Sequence, residues 1–150
     1  MEKVFISNSE AETAQIAVRL AKVTKRGDVW ALRGTLGMGK SVFARAFIQF
    51  FVGSEEEVPS PTFTLVQNYY TDAFDIFHYD LYRLKEASEI FELGVEEAFY
   101  DGVSLVEWPE KMGSFAPRDM WQVEFVAQGE ARKITISATN EDKIRRLANV

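Results

Sequence analysis

The segment from Trp30 to Phe47, WALRGTLGMGKSVFARAF, constrains the fold more than any other part of the chain. It begins with apolar residues that suit a buried strand and ends with apolar residues at helical spacing. Between them lies a joint that contains Gly34, Gly37 and Gly39. Glycine adopts positive φ and has no Cβ, so the backbone of such a joint can approach a ligand closely.

The joint fits the pattern G-x-x-x-x-G-K-[ST] from Gly34 to Ser41, which is typical of a phosphate-binding loop. In such a loop the backbone N–H groups form an anion site at the positive end of the following helix. Lys40 then reaches the terminal phosphates, and the hydroxyl of Ser41 binds Mg²⁺. The alternative is a flexible turn with an incidental lysine. A strand before the pattern and a helix after it favour a nucleotide site.

Strands alternate with helices early in the chain and form hairpins later. Ser9 and Glu12 suggest a capping box at the start of the first helix, and Gly27 a stop after it. We expect helices at 9–27 and 42–51, one or two short helices in 84–99, and a further helix in the polar tail 140–150. We expect strands at 4–7, 28–34, 63–70, 73–80 and 102–108, and a hairpin within 120–139 that turns at Gly129. This order predicts one α/β domain, residues 1–150, with helices around a mixed sheet that is parallel at its centre and antiparallel at its margin.

Composition narrows the class of protein. A chain of 150 residues with 17 Lys and Arg against 23 Asp and Glu has a net charge of −6, which disfavours binding a nucleic-acid backbone by bulk charge. The sequence has no cysteine, which excludes disulfides and thiolate metal sites. Since we find neither a signal peptide nor an apolar run of membrane-spanning length, we expect a soluble, cytoplasmic protein.

A phosphate-binding loop needs an acid that holds Mg²⁺ and a group that orients the attacking water. Glu107 and Asp80 each end a strand-like run, where a carboxylate would emerge at the edge of the sheet. Each acid alone is equally compatible with a solvated strand end. Thr62 lies in SPTFTL after the loop's helix, where switch segments of nucleotide-binding proteins occur, although a simple proline turn has the same pattern.

Three further residues have two interpretations each. His78, the only histidine, is either a proton carrier or a structural residue of a strand. Trp108 either forms a wall of the site or packs in the core, and Arg83 pairs either with phosphate or with a surface acid. The guanine-binding pattern [NT]-K-x-D does not occur after the loop, so we favour ATP over GTP.

Four motifs, GTLGMGKS, SPTFTLVQNY, HYDLYRL and LVEWPEK, occur in this order and spacing. Together they resemble the TsaE family, also called YjeE, over nearly the whole chain from about Ser9 to Ser137. The last three motifs are far more specific than the phosphate-binding loop.

The resemblance implies a P-loop NTPase fold that binds ATP and Mg²⁺ and hydrolyses ATP weakly when alone. It implies a role in threonylcarbamoyl modification of the adenosine beside the anticodon, in tRNAs that read codons beginning with A. The implied partner is the TsaB–TsaD heterodimer, in which TsaD performs the transfer and which the ATP cycle resets between turnovers. The acidic charge agrees with a subunit that docks on protein and contacts tRNA only indirectly.

The resemblance also implies site residues. It makes Ser41 and Glu107 the Mg²⁺ ligands, and it gives catalytic roles to Asp80, Lys40 and Thr62. It assigns nucleotide contacts to the loop and to four residues outside it: Gly34, Leu36, Gly37, Met38, Gly39, Lys40, Ser41, Glu10, Trp108, Glu110 and Arg132. The loop has serine at position 41 where the family usually has threonine, and either hydroxyl can bind Mg²⁺.

Two other functions remain open from the sequence. A chain this short with a phosphate-binding loop also suits a small-molecule kinase, although we find no arginine-rich lid for the phosphates. A non-catalytic nucleotide-sensing module would have the same loop without turnover.

Overall fold

Seven strands form one sheet in the computed structural model, which describes residues 1–35 and 37–150. The strands are β1 (Glu2–Ser7), β2 (Val29–Arg33), β3 (Val66–Tyr70), β4 (Asp75–Asp80), β5 (Val103–Glu107), β6 (Trp121–Gln128) and β7 (Ala131–Ser137). Their order across the sheet is β1-β7-β6-β2-β5-β4-β3.

The centre of the sheet is parallel and its margins are antiparallel, which confirms the predicted mixed sheet. β2 lies between β6 and β5 and is parallel to both, and β5 is parallel to β4. β3 joins β4, and β7 joins β6 and β1, in antiparallel pairs. As a result, the carboxyl ends of β2, β5 and β4 meet at one edge, with Glu107 in register with both Leu32 and Asp80.

The helices cover both faces of the sheet. They are α1 (Glu10–Ala21), α2 (Lys40–Val52), α3 (Val95–Asp101) and α4 (Glu141–Ala148), with 3₁₀ helices at Ala87–Leu93 and Pro109–Phe115. α1 and α2 pack together over a core in which Trp30 stacks on Trp121 at 4.4 Å between ring centroids. A second cluster, around Tyr79 and Met112, packs under α3 and the 3₁₀ helices.

The first helix begins as predicted but ends earlier. The hydroxyl of Ser9 accepts from the Glu12 N–H at 3.1 Å, while the Glu12 carboxylate accepts from the N–H of Asn8 at 2.9 Å, one residue before the cap. The helix stops at Ala21 instead of continuing to Gly27.

A turn organised by the buried carboxylate of Asp28 explains the early end. Asp28 Oδ2 accepts from the Lys25 N–H at 2.9 Å and from the Thr24 hydroxyl at 3.0 Å. Arg146 of α4 donates to both Asp28 oxygens, at 2.6 and 3.0 Å, so this turn also anchors the last helix.

The predicted strand at 63–70 is three residues too long at its start. Leu65 has φ +67° and donates its N–H to the Pro61 carbonyl at 2.7 Å, so a tight turn precedes β3. The 3₁₀ helix at Pro109–Phe115 was not predicted. No helix among the described residues is both long and apolar enough to cross a membrane.

Candidate functional site

The glycine joint connects β2 to α2 at the edge where the parallel strands end. Gly37 and Gly39 have φ of +81° and +103°, and Gly39 is the N-cap of α2 without a side-chain cap. Within the described ranges, the first backbone N–H of α2 that has an acceptor is that of Phe43, which donates to Gly39 at 2.9 Å. The preceding N–H groups at this helix start are available to an anion. Leu36, which we expect in the loop, lies outside the described residues.

Gly34 has a different role from the other two glycines. A Cβ built at this position would lie 2.9 Å from the carbonyl oxygen of Phe125 and 3.1 Å from its Cβ, and φ is +152°. At Gly37 no atom lies within 4 Å of such a Cβ. Gly34 therefore lets the start of the loop pack against β6, whereas Gly37 provides only its backbone conformation.

Lys40, the first residue of α2, is almost fully buried. Its ammonium donates to the Gly34 carbonyl at 2.7 Å and lies 4.1 Å from the centre of the Trp108 ring. Burial lowers the pKa of Lys40, against the opposing effect of the charges of Glu107, Asp80 and Glu110. The ammonium thus lies where the loop begins, among three acids.

The two strand-end acids are neighbours in the sheet, and each has its own hydrogen-bond partners. Glu107 Oε2 lies 2.7 Å from His78 Nε2, and both side chains are buried. Asp80 Oδ2 accepts from the Thr62 hydroxyl at 3.0 Å, and Oδ1 accepts from the Tyr82 N–H at 3.1 Å. The positions of both acids are therefore fixed, and the segment that carries Thr62 is tied to Asp80.

A cleft of about 330 Å³ opens between α1 and the loop. Its walls include eight of the residues expected at the site: Glu10, Gly37, Met38, Gly39, Lys40, Ser41, Glu107 and Arg132. The guanidinium of Arg132 reaches the loop itself and donates to the Gly37 carbonyl at 3.4 Å. The acidic and basic groups expected at the nucleotide therefore surround one space.

Other expected residues lie beside this cleft and do not line it. Thr62, Asp80 and Trp108 contact Lys40 or each other as described above, and exposed Glu110 lies 3.5 Å from the guanidinium of Arg33. The guanidinium of Arg83 lies 4.5 Å from the centre of the Phe63 ring, a contact that neither sequence interpretation included.

Sequence reasoning missed cleft residues at the end of β1 and near the start of β7. Ser7, Asn8, Thr13 and Glu130 also line the cleft. β1 and β6 are both antiparallel to β7, so β1 runs in the same direction as β2 and ends at the same edge. The available signal was the polar run Ser7–Asn8–Ser9 directly after a strand.

The oxygen ligands present suit Mg²⁺ on a phosphate better than a metal held by protein alone. The described part of the chain has no group of three or more His, Cys, Asp or Glu placed to hold a metal ion. Ser41 and Glu107 both line the cleft, and only Oε2 of Glu107 forms a hydrogen bond with the described residues. Mg²⁺ commonly takes one or two protein oxygens together with substrate phosphates and water, so this donor set fits.

Comparison with known proteins places the chain in a family. The sequence profile described as Threonylcarbamoyl adenosine biosynthesis protein TsaE matches residues 7–134. A protein of Rickettsia felis named tRNA threonylcarbamoyladenosine biosynthesis protein TsaE is 39% identical over 140 residues, which cover 93% of this chain and 82% of the relative. The protein of the same name from Bacillus subtilis is 37% identical over 85% of this chain and 80% of its own length.

The fold comparison agrees. The crystal structure of Bacillus subtilis YdiB has a TM-score of 0.82 and 28% sequence identity, and the match covers 99% of this chain and 93% of that one. The two comparisons bear out the resemblance of the four motifs and the P-loop NTPase fold. With the profile matched over most of its length, the chain belongs to the TsaE family of tRNA threonylcarbamoyladenosine biosynthesis.

Proposed function

We propose that this protein is a Mg²⁺-dependent ATPase of the cytoplasm, needed for threonylcarbamoyl modification of the adenosine next to the anticodon in tRNA. One observation carries the proposal: the ammonium of Lys40 lies at the start of the phosphate-binding loop, and the charges of Glu107 and Asp80 act on it. A cation, a loop of glycines and two acids are the parts that phosphoryl transfer requires.

Each part has a role in this function. The free N–H groups at the start of α2 and the ammonium of Lys40 would hold the triphosphate of ATP. Ser41 and Glu107 would hold Mg²⁺, which neutralises charge on the phosphate oxygens. Asp80, whose position the N–H of Tyr82 and the hydroxyl of Thr62 fix, would orient the attacking water.

The cleft beside the loop is the place for the rest of the nucleotide. Glu10 and Arg132 lie on its walls, outside the loop, and supply a carboxylate and a guanidinium for polar contacts. Trp108 and Glu110 lie on the other side of Lys40 and act on its ammonium, so we place them near the phosphates.

The proposed partner is the TsaB–TsaD heterodimer, with tRNA contacted only through it. Membership of the TsaE family supports this proposal, and the names of the relatives state the pathway. The net charge of −6 agrees with docking on protein, because an acidic chain repels the phosphates of tRNA.

The deciding experiment is an ATPase assay of the protein alone, with the TsaB–TsaD pair, and with a panel of small hydroxyl acceptors. We expect weak turnover alone and stimulation by the pair, dependent on Mg²⁺. Stimulation by an acceptor, with phosphate transferred to it, would show a small-molecule kinase. Nucleotide binding without turnover in every mixture would show a sensing module.

A further inference from the structure

The buried histidine of β4 has one ring nitrogen bonded and one without a partner. Nε2 of His78 lies 2.7 Å from Glu107 Oε2, and the two side chains are 3% and 6% exposed. Nδ1 is fully buried and has no hydrogen-bond partner among the described residues. The strand alternation puts His78, Asp80 and Glu107 on the face of the sheet that also carries Ile76 and Leu105, toward α2.

The carboxylate determines which nitrogen carries the proton. An ionised carboxylate can only accept hydrogen bonds, so Nε2 must be the donor. An Nδ1–H in the same ring would be a buried donor without an acceptor, which is costly. The arrangement therefore requires the neutral tautomer with its proton on Nε2.

A neutral donor has a specific advantage over a cation at this position. A lysine or arginine would hold Glu107 equally well but would offset the negative charge that attracts a metal ion. Imidazole fixes one oxygen and leaves the charge in place. It does so from the buried side, while Glu107 lines the cleft and His78 does not.

We propose that His78 is a positioning residue for the metal ligand Glu107. Its Nε2–H holds Oε2 so that the other oxygen faces the cleft with the geometry that a metal–nucleotide complex needs. This inference rests on the proposed function, because it assigns a role within the same site. It excludes the proton-carrier interpretation, since the bonded nitrogen is occupied and the other is buried.

The tautomer is open to direct measurement because His78 is the only histidine in the chain. In ¹⁵N-labelled wild-type protein, NMR of the imidazole should show one slowly exchanging proton on Nε2 and an unprotonated Nδ1. A proton on Nδ1, or rapid averaging between the tautomers, would overturn the inference. This measurement needs no nucleotide, metal or partner.

Three substitutions separate positioning from packing. His78→Gln keeps an amide donor at roughly the position of Nε2, whereas His78→Asn places its amide near Nδ1, and His78→Phe removes the donor. The probe is Mn²⁺ binding, by electron paramagnetic resonance, in the presence of a non-hydrolysable ATP analogue. We expect His78→Phe and His78→Asn to weaken Mn²⁺ binding roughly ten- to hundredfold, as loss of a partner behind a metal ligand does, and His78→Gln to bind nearly as wild type.

Two controls make the result decisive. Affinity for the analogue without metal should be the same in every variant, and thermal unfolding identifies any variant that fails to fold. Equal Mn²⁺ binding by the Gln and Asn variants, or wild-type binding by His78→Phe, would refute the positioning role. Wild-type protein that binds neither Mn²⁺ nor analogue would instead refute the proposed function, while the NMR result still tests the tautomer.

Discussion

The hydroxyl of Thr62 donates a hydrogen bond to Asp80 Oδ2 across 3.0 Å and so ties the segment after Pro61 to the end of β4. Asp80 also receives the N–H of Tyr82, so both of its oxygens are held. A carboxylate held by a mobile segment can respond to what that segment binds. This contact makes Thr62 the first residue to test.

Thr62→Val should lower ATP turnover about tenfold and leave ATP affinity nearly unchanged, because the oriented acid loses a donor and the loop keeps its contacts. Thr62→Ser keeps the hydroxyl and should turn over like wild type. Thr64→Val is the matched control, since Thr64 accepts from Gln67 and does not contact Asp80. Steady-state ATPase assays with partners, together with calorimetry, measure both quantities. Wild-type turnover by Thr62→Val would contradict the role assigned to the pair.

Lys40→Ala should weaken ATP binding roughly ten- to hundredfold, the loss expected when a charge-assisted hydrogen bond of about 1.5–3 kcal/mol is removed. Isothermal titration calorimetry with ATP and Mg²⁺ measures the change. Lys22→Ala, at the exposed end of α1, removes the same charge away from the site and should have no effect. If both variants bind ATP equally, the loop is not the phosphate site.

Gly34→Ala should destabilise the protein by about 2 kcal/mol, because the new Cβ would lie 2.9 Å from the Phe125 carbonyl. Gly129→Ala, in the β6–β7 turn, is the control: its φ is +61° and no atom lies within 4 Å of the added Cβ. Backbone strain alone should cost about 1 kcal/mol there. Urea unfolding gives both values. An equal loss at the two positions would mean that β6 does not constrain the loop.

Arg146→Leu should lower the free energy of unfolding by about 3 kcal/mol, since it leaves the buried carboxylate of Asp28 without its cation. Lys25→Ala removes an exposed partner of Asp142 and should cost less than about 1 kcal/mol. Urea unfolding compares the two. A loss of similar size in both variants would show that the Asp28 turn does not anchor α4.

Stability in acid should depend on Asp142. Hydrogen bonds from Arg146 and then Lys25 lower the pKa of this exposed carboxyl below 3.8. The folded state therefore binds the proton less readily than the unfolded chain, and the stabilisation is present above pH 3.8 and is lost as the pH falls through the lowered pKa.

Asp142→Asn should therefore melt slightly below wild type near neutral pH, and the difference should close as the pH falls below 3.8. Thermal unfolding monitored by circular dichroism across this range is the measurement. Asp72→Asn, another exposed acid, provides the comparison. A difference that persists at low pH would mean that the ion pair is not its source.

Periodicity predicted the mixed sheet and most elements because each has its own pattern. The β6–β7 hairpin turns at Gly129 as expected, and all of β5 is buried. The predictions failed where tertiary contacts decide. Asp28 draws the chain into a turn that ends α1 early, and its partner Arg146 is distant in sequence.

For the site, sequence reasoning selected residues but not their contacts. Glu107 and Asp80 were chosen as strand-end acids, and their alignment depends on the register of β4 and β5, which no local pattern shows. His78 had two interpretations because its partner belongs to another strand. The walls contributed by β1 and α1 were missed since the direction of β1 depends on β7.

The ammonium of Lys40 already has ligands inside the protein. Gly34 supplies a carbonyl at 2.7 Å, and the Trp108 ring lies 4.1 Å away with its backbone in the left-handed region, at φ +59°. An incoming phosphate therefore enters an exchange reaction, and any dissociation constant measured for it is net of the contacts it displaces. Substitutions at Trp108 that release the ammonium will consequently change apparent affinity without touching the ligand.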